Sequence, residues 1–196
     1  MNKKRFKNIA NLSIISLYFT KRGAGRVKKY DIRELTELSL FAAAIFVFKE
    51  AMSPIPNVNP MALLIIVGTR IYGKKVLLPI YCFVVFQVLL YGMGVWVIAY
   101  LYIWAILVFA ALPFRKSDSI WLWSGMAGIY GFFFGLLCSL PYFFVGGWQM
   151  SFSFWLSGLY YDFLHGASNA VMTFVLHKPI YKLLKKLHER NFEKGE

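Results

Sequence analysis

Long apolar stretches, interrupted by short polar or glycine-rich breaks, run along the chain from residue 35 to residue 177. A bilayer core about 30 Å thick is crossed by about 20 helical residues, with a range of about 17–25. On that scale the pattern predicts six membrane-spanning helices, the second of them short: residues 35–52, 60–72, 76–92, 95–114, 120–145 and 151–177. The predicted fold class is an all-α membrane protein, a bundle of six transmembrane helices.

Composition agrees with a membrane protein. Hydrophobic residues make up 59% of the 196 residues, charged residues make up 16%, and the mean hydropathy is +0.56. A soluble protein averages about 45–50% apolar and about 25% charged residues. One soluble domain of this size could not bury so much apolar surface, and so apolar a chain is not disordered. Cys82 and Cys138 fall inside predicted spans and are interpreted as buried thiols, so neither a metal site nor a cofactor is predicted.

The basic residues determine the predicted topology. Of the 22 Lys and Arg, ten lie in residues 1–33 and six in residues 178–194, against nine Asp and Glu in the whole chain. Basic residues concentrate on the cytoplasmic side of membrane proteins. Six spans place both termini and nearly all Lys and Arg on that side, and three loops on the other side have none: residues 53–59, 92–94 and 146–150. We therefore expect a multi-pass protein of the plasma membrane, with no role in nucleic-acid binding.

The charge pattern also divides the chain into three parts. Residues 1–33 are predicted to form a basic cytoplasmic arm, residues 34–184 the six-helix transmembrane domain, and residues 185–196 a cytoplasmic tail. No ATP site is predicted. Residues 68–75 nearly match the P-loop pattern, but Lys75 stands where a Ser or Thr must bind Mg²⁺, and a predicted span precedes the motif instead of a β-strand.

Polar residues recur along one face of the sixth predicted span. Trp155, Gly158, Asp162, His165 and Asn169 are three or four residues apart, so at about 3.6 residues per turn they share a face. Ionisable residues inside a span mark a functional site by default. The face could line a cavity, or it could join helices through hydrogen bonds. Asp162 and His165 could also serve an intramembrane enzyme, but no nucleophilic serine or cysteine motif accompanies them, so no catalytic residue is predicted.

The first external loop is predicted to be stiff. Pro54, Pro56 and Pro60 each fix a φ angle and restrain the residue before them. The same loop carries the side-chain amides of Asn57 and Asn59. A stiff loop with two amides suits a lid over a binding site better than a flexible linker.

Together these features resemble one family. The sequence resembles the substrate-binding S components of energy-coupling factor (ECF) transporters, which import vitamins and related micronutrients. The resemblance covers about residues 34–184 and rests on the six short spans and on the small residues of the first. It also rests on two local motifs: Ser53-Pro54-Ile55-Pro56-Asn57-Val58-Asn59-Pro60, and Asp162-Phe163-Leu164-His165-Gly166-Ala167-Ser168-Asn169 followed by Lys178-Pro179.

The resemblance implies a role and partners. An S component is not an enzyme: it captures its substrate from outside, in the outward half of the bundle, and docks on a membrane-embedded coupling subunit that works with two cytoplasmic ATPases. In the family an Ala-x-x-x-Ala pattern on the first helix contacts the coupling subunit, and this chain has Ser39 and Ala43 at those positions. The implied substrate is a vitamin or related micronutrient. Cobalamin is one candidate, and a flavin, a pteridine or another ring compound would also suit an aromatic site.

The predicted substrate-binding residues are chosen by their depth in the membrane and by their chemistry. They are eight: Lys49, Glu50, Asn57, Asn59, Trp96, Trp148, Trp155 and Asp162. Aromatic rings in the outer half could stack on a ring-shaped ligand, or they could form an interfacial belt. His165 and Asn169 lie deeper and are predicted mainly to pack. The alternative functions are an intramembrane enzyme and a membrane scaffold that binds no ligand.

Overall fold

The structure, a computed structural model, describes residues 31–55 and 58–193. All regular secondary structure in these residues is helical, which confirms the predicted all-α class. Within the described residues six α-helices follow one another: α1 (Ile32–Ala51), α2 (Met61–Tyr72), α3 (Leu77–Tyr91), α4 (Val95–Ala111), α5 (Ile120–Phe132) and α6 (Phe134–Glu193). Thr36 and the described residues that follow it form one compact unit. The predicted basic arm lies outside the described residues, except for residues 31–33.

Three helical stretches of the described chain are long and apolar enough to cross a membrane: Met61–Tyr91, Val95–Phe114 and Ile120–Asn191. They fit the prediction of a membrane protein. The first predicted span is a helix, α1, but it is not one of the three. The reason is its charge content, because its 20 residues include Arg33, Glu34, Glu37, Lys49 and Glu50.

Glycines divide two of these stretches into helices that reverse direction. Gly73 has φ 60° and opens a 3₁₀ turn, Gly73–Val76, between α2 and α3. Inside α6 the backbone leaves helical geometry at Gly146 (φ −140°) and Gly147 (φ 72°). A positive φ is readily adopted only by glycine. We call residues 134–145 of α6 its N-arm and residues 148–193 its C-arm.

Ring contacts indicate the relative directions of the first helices. The ring of Phe41 in α1 lies 5.5 Å from that of Tyr72, at the end of α2. Further along α1, the ring of Phe46 lies 5.5 Å from that of Phe86, near the end of α3. Helices α1 and α3 therefore run in the same direction, and α2 runs in the opposite one. Every residue of α2 from Met61 to Arg70 is buried, as is typical of a short apolar helix at the centre of a bundle.

Hydrogen bonds establish the same alternation for the later helices. The Tyr130 hydroxyl donates to the Ile103 carbonyl (3.2 Å), and the Tyr102 hydroxyl donates to the Leu137 carbonyl. Thus α5 and the N-arm, separated only by a break at Phe133, run antiparallel to α4. The Ser124 hydroxyl donates to the carbonyl of Ala170 in the C-arm (2.8 Å), while Gly135 of the N-arm contacts Asp162. The C-arm therefore returns antiparallel along α5 and the N-arm.

Candidate functional site

Two adjoining cavities lie where residues 52–55 and 58–59 meet α3, α4 and α6. The main cavity measures about 230 Å³ and is lined by Lys49, Met52, Ser53, Ile55, Val58, Asn59, Met61, Phe83, Tyr100, Trp104, Phe134 and His165. The side cavity measures about 370 Å³ and is lined by Lys49, Gln87, Tyr91, Trp96 and Tyr100. Lys49 and Tyr100 line both cavities. Their combined size is within the range of about 300–1,000 Å³ that is typical of small-molecule sites.

The loop that follows α1 forms one wall of the main cavity. Its backbone is folded into successive turns, in which Ser53 N–H donates to the Glu50 carbonyl and Ile55 N–H donates to the Met52 carbonyl, both at 3.0 Å. At the other end of the loop, the side-chain oxygen of Asn59 accepts a hydrogen bond from Met61 N–H (3.1 Å). That bond satisfies one of the N–H groups that a helix start leaves without an intrahelical partner. Asn59 therefore fixes the loop to α2 and also lines the cavity.

A polar cluster lies between the two cavities. Lys49 Nζ lies 2.8 Å from Glu50 Oε1 and donates to Gln87 Oε1 at 3.2 Å. Gln87 Nε2 donates to Glu50 Oε1 (2.7 Å), and the Tyr91 hydroxyl donates to Glu50 Oε2 (2.6 Å). The Lys49 ammonium also lies 5.0 Å from the centre of the Tyr91 ring, a cation–π contact. The carboxylate of Glu50 thus balances the charge of Lys49.

Aromatic rings form the deep end of the main cavity. The Trp104 ring centre lies 5.2 Å from that of Tyr100, 5.5 Å from that of Phe134 and 6.4 Å from that of Phe83. Trp104 is only 2% exposed, and its indole N–H has no hydrogen-bond partner among the described residues. The other wall residue at this depth is His165, whose ring lies 4.8 Å from that of Phe134. These rings suit a flat, ring-shaped ligand.

The structure brings together half of the predicted binding residues. Lys49, Asn59 and Trp96 line the cavities, and Glu50 is hydrogen-bonded to Lys49. Asn57 lies outside the described residues. The part of the predicted site that lies at the cavities therefore comes from α1, from Asn59 and from α4.

The other three predicted residues lie elsewhere. Trp148, just after the Gly146–Gly147 break, is 67% exposed, and its ring stacks on that of Phe152 at 5.5 Å. Trp155 contacts the same phenylalanine at 6.0 Å. Asp162 is buried, and its Oδ1 accepts a hydrogen bond from Gly135 N–H (2.8 Å). None of the three is among the residues that line the two cavities.

The sequence left two interpretations of the polar face of the C-arm: it lines a cavity, or it joins helices. The structure shows residues of both kinds. Asp162 joins the C-arm to the N-arm, and Asn169 packs against Gly131, where an added Cβ would lie 2.9 Å from the Asn169 amide nitrogen. His165, predicted mainly for packing, lines the main cavity instead. The face therefore contributes to helix contacts at two positions and to the cavity at one.

Sequence reasoning missed three cavity residues that carried a readable signal. Gln87 is the one amide in an otherwise apolar predicted span, and polar side chains inside a span are unusual. Trp104 lies mid-span, although tryptophans of membrane proteins concentrate at the interfaces. Tyr100 lies four residues before Trp104, one helical turn earlier, so the same periodicity indicates that the two rings share a face of α4.

Comparison with family models, with curated proteins and with solved structures finds no match to this chain. The assignment of function therefore depends on the geometry of the molecule itself. Within residues 31–55 and 58–193, no group of three His, Cys, Asp or Glu side chains is placed to hold a metal ion.

A second charged cluster lies at the opposite end of α2. The side chain of Arg70 is 3% exposed and lies 3.9 Å from the centre of the Tyr181 ring and 5.3 Å from that of Trp123. Its Nη2 donates to Asp118 Oδ1 at 2.7 Å, and its Nη1 lies 3.4 Å from His177 Nε2. This cluster closes the end of the bundle that lies away from the two cavities.

The predicted docking residues lie on the surface of α1. Ser39 and Ala43 are exposed, and Leu40 and Val47 beside them are also exposed. The opposite face of α1 is buried through Leu38, Phe41 and Ile45. Ser39 and Ala43 thus lie on the face of α1 that is turned away from the core.

Proposed function

We propose that this chain is the substrate-binding membrane subunit of an ECF-type importer for a vitamin or related micronutrient. The observation that carries the proposal is the pair of adjoining, aromatic-lined cavities beside residues 52–55 and 58–59. Continuous burial of α2 from Met61 to Arg70, and the Arg70 cluster beyond it, separate these cavities from the opposite end. A cup closed at one end binds a ligand but provides no continuous channel.

We further propose six spans, with both termini in the cytoplasm and the cavities facing outward. The alternating helix directions support six crossings, with α1 as the first and with reversals at Gly73 and Gly146–Gly147. The positive-inside tendency supports the orientation. Lys74 and Lys75 adjoin the Arg70 end of α2, whereas the loops at the cavity end, 92–94 and 146–150, contain no Lys or Arg.

Active uptake by this chain requires partners, because the only near match to an ATP-binding motif, residues 68–75, forms the end of α2 and the turn that follows. The exposed face of α1 with Ser39 and Ala43 is the surface we propose for the membrane-embedded coupling subunit, which would connect to two ATPases. Small residues allow two membrane helices to approach closely.

The size of the cavities favours a small ring compound over a bulky one. Volumes of about 230 and 370 Å³ suit a flavin, a pteridine or a similar ring better than cobalamin, whose corrin ring carries many side chains. The aromatic walls supply stacking surfaces, and the Lys49–Glu50–Gln87 cluster supplies hydrogen bonds at the boundary of the two cavities.

The test is ligand binding by the purified chain. We expect mass spectrometry of a solvent extract to reveal one small ring compound, and we expect that compound alone, in a panel of vitamins, to raise the melting temperature. Trp96→Ala should weaken binding by about 1–3 kcal/mol, the cost of removing a well-packed contact. Trp148→Ala is the matched control and should bind like the parent, since Trp148 lines neither cavity.

Two other results would contradict the proposal. Absence of any extracted compound, together with no stabilisation by the panel, would favour a scaffold. Enzymatic turnover that is lost in Asp162→Asn or His165→Ala would favour an intramembrane enzyme.

A further inference from the structure

An apolar groove, separate from the two cavities, runs along the surface of the bundle between α4 and α5. It measures about 650 Å³. Helix α4 contributes Ile106, Leu107 and Ala110 to its wall, and α5 and the N-arm contribute residues between 121 and 137. Apart from the Trp121 indole and the Tyr130 hydroxyl, no lining side chain carries a nitrogen or an oxygen atom. The groove is therefore suited to a hydrocarbon occupant.

The dimensions of the groove match one lipid chain. Its lining extends from Trp121 to Phe133, twelve residues further on, or about 18 Å at about 1.5 Å per residue. One leaflet of a bilayer core about 30 Å thick measures about 15 Å. A volume of about 650 Å³ over about 18 Å gives a mean cross-section of about 36 Å², or a width of about 7 Å. A helix, about 10–12 Å across with its side chains, is too wide for this space, whereas an acyl chain is narrow enough.

Gly125 keeps the middle of the groove open. No described atom lies within 4 Å of a Cβ added at this position. Space left empty there would deprive the lining atoms of the dispersion contacts that close packing provides. In a membrane, lipid chains are the molecules that fill such a space.

Basic residues lie at the Trp121 end of the groove. The 112–119 connection joins the two helices that wall the groove, and it carries Arg115 and Lys116, both exposed. Trp121 is 74% exposed, and its ring lies 5.0 Å from that of Phe174 in the C-arm. Lys178, also exposed, follows Phe174 by one helical turn. Two lysines thus approach the end of the groove from different elements.

Little negative charge opposes these basic side chains. Asp118 is the one Asp or Glu between residues 51 and 161, and its Oδ1 accepts a hydrogen bond from Arg70 at 2.7 Å. The apolar groove alone cannot select one lipid over another, because lipid chains are as apolar as the side chains that line it. Selection must therefore come from the headgroup, and the excess of basic residues favours an anionic one.

We propose that the groove binds one anionic phospholipid of the cytoplasmic leaflet, with an acyl chain beside Gly125 and the phosphate beside Lys116 and Lys178. Trp121 then lies at the level of the headgroup, where tryptophans of membrane proteins concentrate. Basic pockets between helices on the cytoplasmic side are typical sites for anionic headgroups. The choice of leaflet follows from the proposed orientation, which places the Arg70 end of the bundle in the cytoplasm.

The experiment is native mass spectrometry of the full chain, released from detergent after titration with lipid. The two probes are phosphatidylglycerol and phosphatidylcholine with the same palmitoyl and oleoyl chains, so that they differ only in the headgroup. Lys116→Gln removes one charge at the groove, and Lys74→Gln removes one exposed charge at the turn between α2 and α3 as its matched control. Gly125→Phe fills the groove. Gly158→Phe is its control, because a Cβ added at Gly158 also meets nothing within 4 Å and Gly158 does not line the groove.

We expect the parent chain to bind phosphatidylglycerol more tightly than phosphatidylcholine. Lys116→Gln should weaken the binding of phosphatidylglycerol alone by about fivefold, which corresponds to the contribution of about 1 kcal/mol from one basic side chain near an anionic lipid. Gly125→Phe should remove the first bound lipid of either kind. Both control variants should bind like the parent. If Gly125→Phe does not fold, Gly125→Leu replaces it.

Four results would overturn the proposal. Equal affinity of the parent for the two lipids refutes the headgroup site, and equal weakening by Lys74→Gln and Lys116→Gln refutes its position. Unchanged lipid binding by the folded Gly125 variant refutes the groove. A dimer that Gly125→Phe dissociates would assign the groove to a second copy of the chain instead.

These outcomes are independent of the test of the proposed function, because the measurement involves no vitamin. A selective lipid site in a chain that no vitamin stabilises would uphold the groove and refute the transporter assignment. Stabilisation by a vitamin, with equal binding of the two lipids, would do the reverse.

Discussion

Single glycines determine which polar side chains can lie inside this bundle. At Gly135 the N-arm passes so close to the C-arm that an added Cβ would overlap the Asp162 carboxylate, and the backbone N–H there donates to Asp162 Oδ1. Gly131 likewise leaves the space that Asn169 occupies. Small residues of one helix thus accommodate the polar face of the next, as in other membrane bundles.

Gly135→Ala should therefore destabilise the protein by about 1–3 kcal/mol, the usual cost of overpacking a dense interior. Gly125→Ala is the control, because nothing lies within 4 Å of its added Cβ, and alanine favours a helix over glycine. Thermal unfolding in detergent measures both. Equal melting temperatures for the two variants would show that the close approach of the arms is not rigid.

The spacing of Asp162, His165 and Asn169 correctly predicts one buried face, because the helical period is a property of the sequence. It does not predict which neighbour each side chain meets. That depends on the crossing of the arms, which brings Gly135 to Asp162 and Phe134 to His165. Trp148 was chosen for its position in the predicted loop of residues 146–150. In the structure only Gly146 and Gly147 leave helical geometry there, and Trp148 is exposed at the start of the C-arm.

At the scale of elements, Arg70 connects α2 to the 112–119 connection and to the C-arm. Its guanidinium contacts Asp118, Tyr181 and Trp123 at once, and the ring of His177 stacks on that of Trp123 at 5.8 Å. The planar guanidinium can stack on a ring and donate in its own plane, whereas an ammonium group cannot combine these contacts.

Arg70→Lys should lower stability although it keeps the charge. We expect a loss of about 1–3 kcal/mol, since lysine could not keep the hydrogen bonds to Asp118 Oδ1 and to the Arg115 carbonyl while stacking on Tyr181, and a buried polar group left unsatisfied costs about that much. Arg115→Lys, on the exposed side of the same connection, should change stability by less than about 0.5 kcal/mol. The comparison is made by thermal unfolding. A similar loss in the two variants would show that charge and side-chain length, not stacking, account for the role of Arg70.

The C-arm also extends further than the sequence indicated. Helix α6 continues to Glu193, through the predicted tail, and His188 Nδ1 lies 3.0 Å from Glu37 Oε1 in α1. The hydroxyl of Tyr72 donates to the same oxygen at 2.9 Å. Apolar periodicity could predict a helix in the tail. It could not predict that this helix contacts α1, because His188 and Glu37 are 151 positions apart and no local pattern encodes such a contact.

For the whole molecule, hydropathy predicts the helical architecture because the bilayer restricts the possible structures. In lipid each backbone polar group must be paired within the protein, so apolar segments become helices. The positions of two reversals could also be predicted from the sequence. Gly73 lies in a basic break between apolar stretches, and Gly147 lies in a break without charged residues. The cavities were less predictable, because residues from α1, α3, α4 and α6 line them and only three-dimensional packing brings these helices together.

The proposed orientation makes one further prediction, on the sidedness of two exposed positions. Gln149 follows the Gly146–Gly147 turn, and Lys116 lies in the connection after α4, at the Arg70 end of the bundle. In a background without Cys82 and Cys138, we expect an impermeant thiol reagent to label Gln149→Cys in intact cells and to label Lys116→Cys only after permeabilisation. Six spans and the positive-inside tendency together require this result. Labelling of both positions in intact cells would mean that the chain crosses the membrane an even number of times between residues 116 and 149, which contradicts the proposal. Labelling of Lys116→Cys alone would mean that the bundle is inverted and that the cavities face the cytoplasm.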